Sequence, residues 1–283
     1  MSISLATGKT PKSHLSDEAM QKKALEEMRL PAIGCFVAGT LVHTKEGLKP
    51  IEQIKVGDWV LSRPENPEQG TETGYKRVTK TFRFEDKEVV RFSWVRHSGD
   101  GEFDGVYVTP NHPVWSYPHG WVAMGRMYMV GRGIPGTIPL SNEEWFGRDL
   151  VLADGSQAER YDVYHLYRTD RPGVAFLADE EDGWGLGSLL DFSTTPPLVG
   201  EEMPYNYEQW GDSGNGTREN YTTMVYNFEV EDWHTYFVGK TGLWVHNTNC
   251  LEATLAVAPG KGDEEPRVSH FPFEPLIYYD FNS

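Results

Sequence analysis

The chain has 283 residues, with 39% apolar and 24% charged side chains, a globular balance with enough length for one large core or two smaller ones. A formal net charge of −16 excludes a nucleic-acid partner held through phosphates, and it disfavours docking on an anionic membrane; solubility is the simpler reading of that charge. Two cysteines are too few for a disulfide framework or a zinc finger, no run approaches the roughly 18 apolar residues of a bilayer span, and the opening MSISLATGKTPKSH lacks a signal-peptide core.

Residues 1–14 are polar. From Ser16, an N-cap type, the acidic pair Asp17-Glu18 and the shared face of Met20, Ala24, Leu25 and Met28 predict a short amphipathic helix to about Leu30, stopped by Pro31. After Gly34 the text becomes short β-branched and aromatic runs, predicting strands at Thr40–His43, Trp59–Ser62, Val78–Phe84, Glu88–Val95 and Val106–Thr109. Gly57-Asp58, Asp100-Gly101 and Asp104-Gly105 punctuate them as turns. Asp154-Gly155, between Leu150–Leu152 and Arg160–Tyr167, is a hairpin signal. Residues 132–221 otherwise read as a less regular insert with an acidic cluster, Asp179 to Asp182, and a loop from Trp210 to Asn220. Strands resume at Met224–Val230, Thr235–Val238 and Leu243–His246.

Three separated elements carry chemistry: Gly34-Cys35, Thr109-Pro110-Asn111-His112 and His246-Asn247. Each is weak alone. A lone cysteine is more often a small buried hydrophobe than a nucleophile, a threonine three residues before a histidine is a common pairing, and Asn247 by itself reads as a loop residue. His43, His97, His119, His165 and His270 have no ligand spacing, so no metal is expected, and no motif asks for a cofactor. Trp59, Trp115, Trp121 and Trp244 fall on expected strands and read as core.

The order and surroundings of the three elements strengthen them. GCFVAGTLVHTKEGLKPIEQIKVGDWVLS, VTPNHPVWSYPHGWV and VYNFEVEDWHTYFVGKTGLWVHN together resemble the Hint superfamily of inteins, hedgehog autoprocessing domains and bacterial intein-like modules. Within it the chain is most similar to pretoxin Hint domains of bacterial polymorphic toxins. The resemblance implies a mainly β fold, a horseshoe of antiparallel strands spanning residues 35–247, flanked by the N-terminal segment 1–34 and the tail 248–283. It also implies a mechanism. Cys35 attacks the Gly34 carbonyl and replaces the amide with a thioester. His112 supplies the proton that the leaving amine needs, and Thr109 orients His112 or helps hold the oxyanion. At the other end Asn247 cyclises onto its own carbonyl and breaks the bond to Thr248, assisted by His246 and His234.

Asn227, in VYNFEV, stands where many inteins carry an aspartate that couples the two cleavages. An amide cannot supply a charge or accept a proton as a carboxylate does, so cleavage is expected ahead of splicing, although Thr248 offers a hydroxyl for ligation. The expected substrate is the chain's own flanks, and related proteins carry a passenger or toxin domain where this chain has a short tail. Two alternatives stay open: an inert structural remnant of a polymorphic toxin, and a thiol hydrolase acting on other molecules. A thiol that must stay reduced fits a cytoplasmic setting.

Overall fold

The computed structural model describes residues 34–97, 101–125, 130, 137–145, 149–178, 186–206 and 218–247. The expected helix at 16–30, the acidic cluster at 179–182, most of the loop from Trp210 to Asn220, Thr248 and Cys250 lie outside these residues. What is described is mainly antiparallel β, as the sequence predicts.

The first half is a chain of hairpins. Strands β1 (Phe36–Val37), β2 (Leu41–Thr44), β3 (Gly47–Pro50), β4 (Trp59–Ser62), β5 (Gly74–Glu88), β6 (Val90–Arg96), β7 (Phe103–Val108), β8 (Pro113–Tyr117) and β9 (Gly120–Ala123) follow one another, each short except β5. Gly57, with φ of 94°, makes the reversal before β4 that its dipeptide predicts. Asp104-Gly105 departs from expectation, because it lies inside β7 rather than in a turn. There Asp104 Oδ2 accepts from the backbone N–H and the hydroxyl of Thr241, so the aspartate fastens one strand to a distant loop.

The second half contains β10 (Asp149–Val151), β11 (Gln157–Arg168), β12 (Val174–Ala178), β13 (Leu186–Asp191), β14 (Leu198–Pro204), β15 (Thr222–Val230), β16 (Thr235–Val238) and β17 (Leu243–His246). A single-turn helix, α1 (Asn142–Trp145), precedes β10. Asp154-Gly155 turns β10 into β11: Gly155 has φ of 81°, and Asp154 Oδ1 accepts from the Ser156 N–H. The insert is thus more regular than the text of 132–221 suggests. β11 pairs with β6 through its first two-thirds, then with β12, and β12–β14 continue as an antiparallel meander.

Two features of the pairing position the site. β1 is wedged between β15 (Phe36↔Tyr226) and β7 (Phe36↔Val108), placing Cys35 at the start of an interior strand. β17 is likewise interior, between β16 and β8 (Val245↔Val114), and it ends at His246, directly before Asn247. The principal core, including Phe36, Phe92, Trp94, Phe228 and Tyr236, fills the space around these strands. Each such side chain contributes about 1.5–3 kcal/mol by leaving water. Trp244 is buried as expected, but Trp59 is 38% exposed and lies beneath the Arg77 guanidinium rather than in the core.

Candidate active site at the two chain junctions

The N-terminal junction is built around one carbonyl. Asn227 Nδ2 donates to the Gly34 carbonyl oxygen at 2.6 Å. The amide cannot be turned the other way, because Asn227 Oδ1 already accepts from the Phe228 N–H at 2.7 Å and from the Tyr236 hydroxyl at 2.9 Å. β15 supplies Asn227 and β16 supplies Tyr236, so two strands fix one donor on the bond that the sequence nominates for cleavage. Both Asn227 and Tyr236 are buried.

The Cys35 amide is gripped from the other side. Its N–H donates to Thr109 Oγ1 at 2.9 Å, and its carbonyl accepts from the Thr109 N–H at 2.9 Å. The Thr109 hydroxyl therefore faces the Cys35 nitrogen, and Asn227, not Thr109, faces the Gly34 carbonyl oxygen. The Thr109 carbonyl accepts from the His112 N–H at 3.1 Å, a main-chain contact that joins the two residues. The Cys35 side chain is 1% exposed, within an apolar cluster of Val37, Leu166, Ala175, Leu190 and Val225.

His112 is wholly buried and packs its ring 4.2 Å from that of Phe36, centroid to centroid. Burial pushes its pKa down to about 3, against the opposing hydrogen bond to the Pro113 carbonyl. That carbonyl can only accept, so Nδ1 carries the ring proton and Nε2 is a bare lone pair with no partner among the described residues. At neutral pH His112 is a base without a proton to spare. Gly34 makes room for it: a Cβ there would lie 2.8 Å from Cα, Cγ and Cδ2 of His112.

The C-terminal junction gathers the second set. Asn247 is fully buried; its N–H donates to the His234 carbonyl at 2.8 Å and its Nδ2 to the Phe228 carbonyl at 3.2 Å, while Oδ1 has no partner among the described residues. His234 holds a positive φ of 51°, an unusual backbone for histidine, which aims its carbonyl at Asn247. His246 Nε2 lies 2.8 Å from Glu65 Oε2, and its ring stands edge-on to Trp121 at 4.9 Å. The hydrogen bond from His246 holds the Glu65 carboxyl below the usual carboxylate range, against partial burial.

All of the nominated residues that are described fall at these two junctions, and Phe228 links them, following Asn227 and bonding Asn247. Sequence reasoning missed Tyr236 and Glu65. Tyr236 stands in the quoted HTYFV text as an ordinary strand aromatic; Glu65 sits in a polar loop far from His246 in the chain, with no spacing that joins them.

The family comparison agrees with the motifs. Residues 41–133 match the model of the pretoxin HINT domain. Over that stretch, about a third of its length, the chain is similar to this family. Among solved structures, it is similar to a bacterial intein-like domain from Clostridium thermocellum at 22% identity, covering 75% of this chain and 98% of that one, with a TM-score of 0.42. It is also similar to a DnaB intein from Synechocystis sp. PCC 6803 at 12% identity, covering 76% and 98%, with a TM-score of 0.40. The gp41-1 intein is similar at 15% identity, covering 76% and 98%, with a TM-score of 0.37. No curated protein matches the sequence.

Proposed function

We propose that residues 35–247 form a self-processing unit that cuts the chain at Gly34–Cys35 and at Asn247–Thr248. The observation that carries this reading is the hydrogen bond from Asn227 Nδ2 to the Gly34 oxygen, 2.6 Å long and locked in orientation. A structural asparagine has no need to polarise the one carbonyl adjacent to the nominated nucleophile.

In the first reaction, Cys35 Sγ gives up its proton to His112 Nε2 and attacks the Gly34 carbonyl carbon. Negative charge collects on the oxygen that Asn227 holds, where one well-placed donor is worth about a 100- to 1,000-fold rate gain. The carbon–nitrogen bond then breaks, and the same proton passes from His112 to the Cys35 nitrogen, leaving a thioester and a free amine. His112 rests uncharged, so in this sequence it accepts before it donates. In the second reaction Asn247 Nδ2 attacks its own main-chain carbonyl, forming a succinimide and releasing Thr248 as an amine. Splicing would further require Thr248 to capture the thioester.

The 1% exposure of Cys35 weighs against a hydrolase acting on other molecules, because it leaves the sulfur little surface for a bulky external substrate. The test is thiol dependence. Dithiothreitol intercepts a thioester, so it should release residues 1–34 from the wild-type chain and from Asn247→Ala, and release nothing from Cys35→Ala. Equal release from Cys35→Ala, or none from any chain, would defeat the reading.

A further inference from the structure

Glu65 has no place in the scheme so far. It sits in the loop between β4 and β5, beyond Ser62, and the loop is pinned in place. Trp121 Nε1 donates to the Glu65 carbonyl at 3.2 Å, and Asn66 caps the following 3-10 turn (Pro67–Gln69) by accepting from the Glu68 N–H. Its carboxylate reaches His246 Nε2 at 2.8 Å, with the two side chains 42% and 20% exposed. Surface carboxylates usually pair with Lys or Arg; this one is spent on the histidine next to the cyclising asparagine.

We infer that Glu65 is the positioning residue for the C-terminal cleavage: it holds the His246 ring with Nε2 protonated and leaves Nδ1 as the basic atom beside Asn247. The inference rests on the self-processing reading for its chemistry, though not for its geometry. An ionised carboxylate only accepts, so the hydrogen between Nε2 and Oε2 belongs to the ring. Nδ1 then takes the proton that Asn247 Nδ2 must lose as it attacks its own carbonyl. The same proton passes to the departing Thr248 nitrogen, so the step closes with one succinimide and one free amine. Other titratable or charged groups also surround His246. His112 leads into β8, and a charge on His246 disfavours charging His112 further. His234 leads into β16 and acts on Glu65 in the same sense as His246 does. The Arg63 guanidinium, two residues before Glu65, is turned aside over the Trp244 ring at 4.6 Å. Glu65 is the carboxylate that meets the imidazole directly.

Two variants separate its hydrogen bond from its charge. Glu65→Gln keeps an oxygen acceptor and loses the charge; Glu65→Ala loses both. The expected results are tail release slowed at least about tenfold in Glu65→Ala, and slowed less in Glu65→Gln, which keeps an acceptor for the ring N–H. Nitrogen-15 spectra of the His246 ring, recorded on Asn247→Ala so that the chain stays whole, give a readout independent of cleavage: Nε2 protonated with Glu65 present, mixed tautomers in Glu65→Ala. A wild type that releases no tail, with this tautomer change intact, would defeat the cleavage reading and uphold the positioning contact. Wild-type tautomer and wild-type release rate in Glu65→Ala would overturn the inference.

Discussion

Asn227 is tightly constrained by its neighbours. Its Oδ1 is saturated by Phe228 and Tyr236, so its NH2 group has one direction left, towards the Gly34 oxygen. Asn227→Ala removes the donor, and thiol-induced loss of residues 1–34 should slow about 100-fold or more. Asn227→Asp, nearly the same shape, turns a lone pair on the same oxygen and should slow it too; a rate in either variant within a factor of two or so of wild type would remove Asn227 from the mechanism. The residue types of the site were readable from the sequence, and so was the unusual amide at 227. Its partner was not, because a contact across 193 positions of chain leaves no local pattern. The same holds for Glu65 and His246, joined across 181 positions. The depressed His112 was equally hidden: composition shows a histidine near neutral titration, whereas only packing against Phe36 and Gly34 strips it of water.

Among the elements, strands with β-branched text and a clear turn on each side were legible: β4, β15, β16 and β17 lie where the sequence places them, and Asp154-Gly155 makes its hairpin. β12–β14 were not, since their glycines, serines and acids read as loop while long-range pairing makes them strands. Gly187 illustrates the override: a Cβ there would lie 2.0 Å from the Leu177 carbonyl oxygen, so a residue that weakens strands is required for this one to pair. The meander has a consequence for chemistry. Leu166 from β11, Ala175 from β12 and Leu190 from β13 form one side of the apolar cluster that encloses Cys35. Leu190→Ala opens a cavity there at a cost of about 2–5 kcal/mol. The thiol should then react with an aromatic disulfide reagent several-fold faster in the folded protein, measured below the unfolding midpoint. Unchanged thiol reactivity in a destabilised Leu190→Ala would show that the meander does not shield the nucleophile.

For the whole molecule, the decisive property is that both junctions end on interior strands. β1 is held by β7 and β15, and β17 by β8 and β16, so the two flanks leave from positions fixed by the core and not from free ends. The β15 segment Asn227-Phe228 touches both junctions, one residue apart, so the two proposed cleavage sites share a single packed unit. An interior strand also keeps its place after the adjoining bond breaks, so neither cut need unfold the rest. Whether the chain cuts itself at these two bonds through its own residues is read out by intact mass. Wild-type protein incubated at neutral pH with dithiothreitol should yield species that begin at Cys35 and species that end at Asn247, the latter lighter by one water than a hydrolysed terminus because it closes as a succinimide. A single unchanged full-length mass, or the same cuts in a chain carrying both Cys35→Ala and Asn247→Ala, would contradict it.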